Sequence, residues 1–442
     1  MGSGYRQRHG YLLIGSLFLL LSTPASLFAD DLITTYHLAL QQAPELQIIE
    51  AEMQASEAKR RIALASLLPS LELNAHQSAI NKESVIPAPA TDDSYTSSGY
   101  SLSLSQTLYN GGASSAYTAA RLGSTSSAHR YQSQRQNLMV EVARAYFQLL
   151  AAQANVALAH SENEALALQL RDVQKRFKLG LNTMMEVHET QARFDLSSAN
   201  VLQIELELDR YREQLVLYTG HQPGTLLSKL DNMVLYAPEP ASIESWEQRA
   251  LENNAQLKAS TDAAAAARAV LQARQKAHLP TLELAYDYQH LNKDSSPPAQ
   301  NNTQTVGIEF TLPLYSGGET SARIAEARAL LHKAQAEENL TRRQVQGQVR
   351  QAFLQLKSGI NRVKALRRAL VSQQSTLKAT EVGVSIGKRT NLELLNARQA
   401  MLNARYDYNR ARYDYLIDTL ELQRSAGTLN EATLQTINHW LM

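Results

Sequence analysis

The chain has 442 residues, enough for two or three ordinary domains, and carries 43 Lys and Arg against 42 Asp and Glu. A formal net charge of +1 at pH 7 gives no sign of a nucleic-acid partner. The absence of cysteine excludes disulfides, thiolate metal sites, cysteine catalysis and lipid attachment at a cysteine.

The first 29 residues predict a secretory signal peptide. Arg6 and Arg8 precede an apolar run at residues 11–21, and small residues follow, with cleavage after Ala25 or Ala29. The apolar run is too short for a membrane anchor, because a spanning helix needs about 20 apolar residues. No later stretch is apolar enough to span as a helix. An exported chain of this kind that crosses a membrane must therefore do so as strands.

The rest of the chain follows one plan twice: a helix, two strands, a very long helix and another helix. In the first copy these are a helix over residues 32–67 interrupted near Pro44, strands near 71–75 and 100–108, a polar loop over 84–98, and a long helix over 112–179. In the second copy they are a helix over 243–278, strands over 282–288 and 306–314, a polar loop over 291–304, and a long helix over 318–386.

Matched sequence blocks show that the two copies arose by internal duplication. LPSLEL at residues 68–73 returns as LPTLEL at 279–284, and LYNGG at 108–112 returns as LYSGG at 314–318. We therefore predict the following division: a signal peptide at 1–29, a first repeat at 30–220, a connector at 221–242, a second repeat at 243–427 and a tail at 428–442.

The strands alternate apolar and polar residues, which predicts sheets with one face in lipid. Four strands cannot close a barrel, and an open edge cannot lie in lipid because its backbone groups would be unpaired. A dimer would supply eight strands and a trimer twelve. The polar faces would then line a water-filled lumen.

The long helices would extend about 100 Å at 1.5 Å per residue. Apolar and small residues step by four and three through both of them, which predicts supercoiled packing. The junction between strand and helix is where the chain would leave the membrane, and its glycines allow a sharp change of direction. The junction residues are Tyr109, Gly111, Gly112, Tyr315, Gly317 and Gly318.

Two other classes of protein remain open on these residues. An exported chain with long coiled coils could be a periplasmic scaffold or adaptor without a pore, although that class does not need two matched strand pairs. An enzyme is a more distant alternative. The histidines are not at metal-ligand spacing, and there is no phosphate-binding glycine loop. We predict no catalytic residues, metal or cofactor.

The duplication, the LYNGG and LYSGG junctions and the segment GKRTNLELLNARQAMLNARYDYNRARYDYLIDTLELQRSAGTLNE resemble the TolC family of outer-membrane export channels over the whole mature chain. The resemblance implies an α+β membrane protein. Its trimeric 12-stranded outer-membrane β-barrel, with four strands per chain, would continue into a long periplasmic α-helical coiled-coil barrel.

The function implied by the resemblance is that of an exit duct in the bacterial outer membrane that extends into the periplasm. It would passively conduct proteins in type I secretion, drugs and small toxic molecules, or both classes of cargo, from an inner-membrane pump and its adaptor to the outside. The implied partners are two further copies in a homotrimer, outer-membrane lipid, a periplasmic adaptor (membrane fusion protein) and an inner-membrane pump of ABC, RND or MFS type.

The resemblance also implies a gate at the periplasmic tip, where two turns end the long helices. Gly180, Leu181, Gly387 and Lys388 would form the tip turns that dock the adaptor. The gate residues carried over by motif are Arg389, Glu186, Glu393, Asn396, Thr390 and Thr183. An Arg389–Glu186 link would hold the closed state. Val384 and Asn396 depart from the family's tyrosine and acidic residue, and solvated turn charges are the alternative interpretation.

Overall fold

The computed structural model describes residues 31–84, 91–224, 226, 233–295 and 298–441. The predicted signal peptide and part of the predicted connector lie outside the described residues. In the first half the elements are α1 (Leu32–Gln42), α2 (Pro44–Ala65), β1 (Ser70–Ser84), β2 (Thr91–Asn110), α3 (Gly111–Lys178) and α4 (Met184–Thr219).

The second half repeats this order of elements and adds a final helix. It contains α5 (Ile243–Asn253), α6 (Ala255–Gln275), a single 3₁₀ turn (Lys276–His278), β3 (Thr281–Asp294), β4 (Ala299–Thr311), α7 (Glu319–Ser385), α8 (Asn391–Ser425) and α9 (Glu431–Leu441). The 68 residues of α3 and the 67 of α7 give helices of about 100 Å. Among the helices that the structure describes, none combines the length and apolarity required to cross a membrane.

The four strands form one antiparallel sheet in the order β1-β2-β3-β4, so β1 and β4 are its edges. The register aligns the apolar residues in rows across the sheet. Leu73 is opposite Leu102, which is opposite Tyr288, and Leu284 is opposite Ile308. Successive side chains in a strand point to opposite faces, so these rows give the sheet one apolar face and one polar face. This confirms the predicted alternation.

The strands are longer than the sequence predicted. The residues expected to form loops, 84–98 and 291–304, are largely paired: β2 begins at Thr91, β3 runs to Asp294 and β4 begins at Ala299. Backbone pairing continues past the apolar segment because the ladder hydrogen bonds do not depend on side-chain polarity. In contrast, β4 ends at Thr311, so Leu312 and Leu314 lie outside the strand that was predicted to contain them.

Both copies break the helix that precedes the strands, although the sequence predicted a break only at Pro44. The second break is at Asn254, whose backbone (φ −62°, ψ 120°) matches that of Ala43 (φ −64°, ψ 114°). Asn254 accepts a hydrogen bond from the backbone N–H of Leu257 at 3.0 Å. A proline begins the helix in one copy, and an asparagine N-cap does so in the other.

The hydrophobic core lies around the middle of the long helices rather than at either end. Its largest fully buried side chains come from α1, α3, α4, α8 and α9: Tyr36, Tyr146, Tyr415, Phe147, Leu32, Leu149, Leu150, Leu215, Leu416, Leu420, Leu422 and Leu434. Polar contacts hold α1 and α9 together in this central layer. The Asn438 side chain accepts from the Leu32 N–H at 3.0 Å and donates to Asp31 at 2.9 Å. The sheet and the helix tips therefore project in opposite directions from one central layer.

Candidate gate at the helical tip

Two turns of matching geometry end the long helices. Gly180 and Gly387 both have φ of +73°, in the left-handed region where glycine carries no steric cost. The Leu181 N–H donates to the Arg176 carbonyl at 2.9 Å, and the Lys388 N–H donates to the Gly383 carbonyl at 2.8 Å. These bonds close each helix end with the same left-handed cap, so the four predicted tip residues occupy two equivalent turns.

A capping box begins the returning helix after each turn. The Thr183 hydroxyl accepts from the Glu186 N–H at 3.3 Å, and the Glu186 carboxylate accepts from the Thr183 N–H at 2.9 Å. Thr390 and Glu393 repeat this arrangement at 3.2 and 2.8 Å. Hydrogen bonds from Thr390 and then from Arg389 lower the pKa of the Glu393 carboxyl. Both glutamates are therefore engaged in local capping.

Arg389 lies in the turn between α7 and α8 and contacts both of these helices in the described protomer. Its Nη1 donates to Glu393 at 2.6 Å, and its side chain lies over Gly383, where a Cβ would come within 2.6 Å of the Arg389 Cγ. Arg389 therefore binds the Glu393 carboxylate within one protomer, and Glu186 binds Thr183. Val384 accepts the Gly387 N–H bond through its backbone carbonyl at 3.0 Å.

A hydrogen bond that sequence reasoning missed joins the two halves above the turns. Arg193 of α4 donates from Nη2 to the side-chain oxygen of Asn396 on α8 at 2.8 Å. Asn396 was predicted as a gate position, but its partner was not, because the two residues are 203 positions apart and no local motif marks Arg193. Two residues further along α8, Arg398 Nη2 lies 3.7 Å from Glu381 Oε1 of α7.

A groove of about 710 Å³ opens between α3, α4 and α8 next to this bond. Arg193, Asn200 and Tyr406 are among its lining residues, together with Glu162, whose pKa is raised by burial. The groove separates the helix pair α3–α4 from α8. The Arg193–Asn396 bond crosses between α4 and α8 near the tip, where these two helices can move apart only if it breaks.

The two strand–helix junctions adopt different conformations. At the first, Gly111 and Gly112 lie in the first turn of α3, and Asn110 caps the helix by accepting from the Ala113 N–H at 2.9 Å. At the second, Gly317 and Gly318 have φ of +62° and +87°, and the helix begins only at Glu319.

The surroundings of the two predicted junction tyrosines also differ. The Tyr109 hydroxyl lies 3.4 Å from the position that a Cβ would take at Gly111. Tyr315 is 88% exposed in the protomer. Tyr109 is 48% exposed. The first junction is thus partly covered by the chain itself, whereas the second lies at the β4 edge of the sheet.

An antiparallel sheet with one apolar face, connected to helices of about 100 Å that end in paired tip turns, defines a protomer of a bacterial outer-membrane channel. The family model described as "Outer membrane efflux protein" matches residues 35–221 and 246–428. The chain belongs to this family. It is accordingly an outer-membrane protein that extends into the periplasm.

Comparisons with individual proteins agree with the family. The chain is 31% identical to alkaline protease secretion protein AprF of Pseudomonas aeruginosa, covering 96% of this chain and 90% of AprF. It is 30% identical to outer membrane protein TolC of Escherichia coli, covering 93% and 85% of the two chains. The crystal structure of the Campylobacter jejuni CmeC outer membrane channel shares the fold, with a TM-score of 0.79, 19% identity and coverage of 93% and 89%.

Proposed function

We propose that three copies of this chain form the outer-membrane exit duct of a tripartite export machine. The observation that carries the proposal is a sheet whose two edges, β1 and β4, lie at the ends of an apolar face. Unpaired edge groups are costly in lipid, so pairing β4 of one copy with β1 of the next favours closure. A homotrimer would supply twelve strands around a water-filled lumen.

The partners follow from the same proposal. An inner-membrane pump of ABC, RND or MFS type would supply energy, and a periplasmic adaptor would dock on the tip turns at Gly180, Leu181, Gly387 and Lys388. The similarity to AprF, named for alkaline protease secretion, favours protein cargo over drug efflux. The duct would conduct passively and would not be an enzyme.

We further propose that the gate includes the bond between Arg193 and Asn396. The bond joins α4 to α8 at 2.8 Å, and opening of the tip requires these helices to separate. The Arg389–Glu186 link stays a prediction, because in one protomer each of these residues binds elsewhere. Both are exposed polar contacts, so each would bias the gate only modestly.

Single-channel conductance of the purified protein in a planar bilayer tests both proposals. We expect small steps for the wild-type channel and larger steps for Arg193→Ala, because the α4–α8 contact is lost. Arg389→Ser tests the predicted link in the same way. Arg212→Ala is the matched control, since Arg212 is on α4 but pairs with Asp209 of the same helix at 2.8 Å.

The outcomes separate the candidate functions. If protein that is shown to be folded and heat-modifiable forms no channel, the periplasmic scaffold replaces the exit duct as the proposed function. Wild-type conductance in Arg193→Ala would remove that residue from the gate and leave the duct in place.

We also retain, as a proposal, the division into repeats at 30–220 and 243–427 with a connector at 221–242 and a tail at 428–442.

A further inference from the structure

The groove between α3, α4 and α8 has the size and the lining of a small-molecule site. Its volume of about 710 Å³ falls within the range of about 300 to 1,000 Å³ that ligand cavities occupy. Helices α4 and α8 both pack on α3 and leave the groove between them. All three helices contribute to its apolar wall, which consists of Leu166, Leu196, Ile204, Leu395 and Tyr406. Leu196 is 71% exposed, so part of this wall is uncovered in the protomer.

Two carboxylates line the groove without a partner. They are Glu162 of α3 and Glu207 of α4, and within the part of the chain that the structure describes neither side chain takes part in a hydrogen bond or an ion pair. Burial alone raises the pKa of the Glu162 carboxyl. A partly desolvated carboxylate without a partner is unfavourable, and a cation bound beside it would offset this cost.

The two arginines that line the groove are engaged elsewhere. Arg193 donates to Asn396 at 2.8 Å, and Arg398 lies 3.7 Å from Glu381 of α7. Both groove carboxylates therefore keep their acceptor oxygens free for a ligand. Charge complementarity at these two positions favours a cationic ligand over an anionic one.

The register of α3 against α4 sets the separation of the two carboxylates. His160 binds Glu205 at 3.0 Å, and Asn163 donates to Ser198 at 2.8 Å. In this antiparallel register the α3 carboxylate is level with Asn200. The α4 carboxylate follows Asn200 by seven residues, which corresponds to about 10 Å along the helix axis. A ligand that meets both carboxylates must be elongated, with a cation at each end and an apolar body between them.

The internal repeat provides a reference for this pair of carboxylates. Gly387 follows Gly180 by 207 positions, and Gly427 follows Gly220 by the same number, with left-handed backbone at all four glycines. This constant offset maps α3 onto α7 and α4 onto α8, so each residue of the first copy has a counterpart in the second.

The second copy does not repeat the two unpaired carboxylates. The counterpart of Glu162 is Ala369. The counterpart of Glu207 is Asp414, which lies 4.0 Å from Arg362. The unpaired carboxylates are therefore a feature of the first copy and not of the repeated unit.

We propose that this groove binds a linear diamine, with one ammonium group at Glu162, the other at Glu207 and the alkyl chain against the apolar wall. A ligand bound in this way contacts both α4 and α8, so it favours the arrangement in which these helices lie close together. Opening of the tip separates them, and binding therefore opposes opening. The effect on opening rests on the proposed gate, whereas the binding itself does not.

Titration calorimetry of the full-length protein in detergent tests the binding, with hexamethylenediamine as the probe. Its extended nitrogen-to-nitrogen span is comparable with the separation of the two carboxylates. We expect saturable binding, and Glu162→Gln and Glu207→Gln should each weaken it about tenfold, because each removes one charge-assisted contact. Glu164→Gln is the matched control, since it makes the same change at an exposed position of α3 outside the groove and should bind as the wild type does.

Hexylamine carries one amine on an alkyl chain of the same length, and it should bind about tenfold more weakly than the diamine. Equal affinity for the two compounds would overturn the inference. Absence of saturable binding would also overturn it, as would undiminished binding by the double variant Glu162→Gln with Glu207→Gln, with circular dichroism showing that the variants are folded.

Conductance in a planar bilayer tests the effect on opening. A saturating concentration of hexamethylenediamine on the periplasmic side should lower the open fraction of the wild-type channel and leave Glu162→Gln unchanged. Binding in calorimetry without this effect would overturn the coupling to the gate and leave the site in place. Folded protein that binds the diamine but forms no channel would contradict the proposed function and not the binding site.

Discussion

The two strand–helix junctions share the motif Leu-Tyr-x-Gly-Gly and yet differ in backbone geometry. At the first junction, β2 runs directly into α3, and Lys276 from the end of α6 donates to Ser115 at 2.9 Å. At the second, a seven-residue segment separates β4 from α7, with two left-handed glycines. The first junction is inside the protomer, and the second is at its edge. Neighbouring elements therefore select the conformation of a repeated motif.

The same contrast extends through the two copies. Phe147 is buried by Tyr413, whereas Leu354 is exposed. Gly427 is enclosed by backbone atoms, whereas Gly220 has only the Gln42 side chain near it. In each pair, one position is covered by the chain itself and its equivalent is open. The open position lies in the second copy for Phe147 and Leu354 and in the first copy for Gly427 and Gly220. Paired substitutions at equivalent positions therefore test whether the covered position contributes more to stability than the open one.

The largest difference is expected for alanine at Phe147 and at its counterpart Leu354. Phe147→Ala leaves a cavity in the core and should lower the free energy of unfolding by about 4 kcal/mol. Leu354→Ala should leave protomer folding nearly unchanged and reduce trimer yield. Denaturation followed by circular dichroism, with gel migration of the unboiled protein, checks both effects. Equal loss of folding stability in the two variants would contradict the comparison.

Gly427→Ala and Gly220→Ala form the second pair. Both glycines have left-handed backbone, with φ of +72° and +69°. A Cβ at Gly427 would come within 2.5 Å of the Asn253 backbone, whereas at Gly220 the nearest atom is 3.8 Å away. We expect Gly427→Ala to cost about 3 kcal/mol and Gly220→Ala about 1 kcal/mol, because only the first adds overpacking to backbone strain.

The thermal midpoint of helix loss measures this second pair. The expected order is wild type, Gly220→Ala and then Gly427→Ala, with the larger gap before the last. A Gly220→Ala variant as unstable as Gly427→Ala would show that backbone strain alone accounts for the effect. The contact with Asn253 would then have no role.

The third prediction concerns Asp418 on α8, whose counterpart in the first copy is Tyr211. Burial, and next the nearby Asp414, raise the pKa of the Asp418 carboxyl to about 6, while Arg144 and Arg362 oppose this shift and Glu421 adds to it. As pH rises from about 4 to about 6, the unfolded chain releases this proton before the folded chain does. Stability therefore falls across this window, and the full penalty is present above it.

Asp418→Asn removes the penalty of an ionised side chain. After allowance for solvent screening of a half-exposed group, we expect a gain of about 1 kcal/mol at pH 7.5 and none at pH 3.5. Urea denaturation at the two pH values measures the change. Asp407→Asn, at an exposed position on the same helix, is the control, because it makes the same chemical change without removing a buried side chain. A gain of equal size at both pH values would exclude ionisation as the cause.

Much of this fold could be predicted because its signals are local and are repeated. The glycines at 180 and 387, the threonine–glutamate caps and the alternating strands each depend on residues within a few positions. The second helix break, at Asn254, was harder to predict than the break at Pro44. Asparagine occurs in helices as well as in caps and turns, whereas proline is strongly disfavoured in a helix interior.

The rest of the candidate gate depends on contacts between distant segments. Arg193 and Asn396 are in contact because the chain reverses direction at the tip after both α3 and α7, which brings α4 next to α8. No spacing in the sequence indicates this contact. The strand ends were also misjudged, since the polar residues at the start of β2 are paired with β1 through the backbone ladder. Side-chain pattern predicts which face a residue occupies better than it predicts where an element ends.

The smallest effect is expected at the junctions themselves, with Gly111→Ala against Gly318→Ala. Gly111 is in the first turn of α3, and a Cβ there would meet its neighbours at ordinary contact distances of 3.4 Å or more. Alanine is a better helix former than glycine, so Gly111→Ala should be neutral or slightly stabilising. At Gly318 the backbone is left-handed, and alanine should cost roughly 0.5 to 1 kcal/mol.

Because a Cβ at Gly318 would meet no described atom within 4 Å, the cost there is conformational and not steric. The thermal midpoints of the two variants, measured on protomers and on assembled trimers, sharpen the comparison of the junctions. A penalty for Gly318→Ala that grows on assembly would mean that a neighbouring copy approaches the second junction closely. Equal effects of the two substitutions would show that the shared motif adopts one geometry in the membrane, and the contrast between an enclosed and an edge junction would be withdrawn.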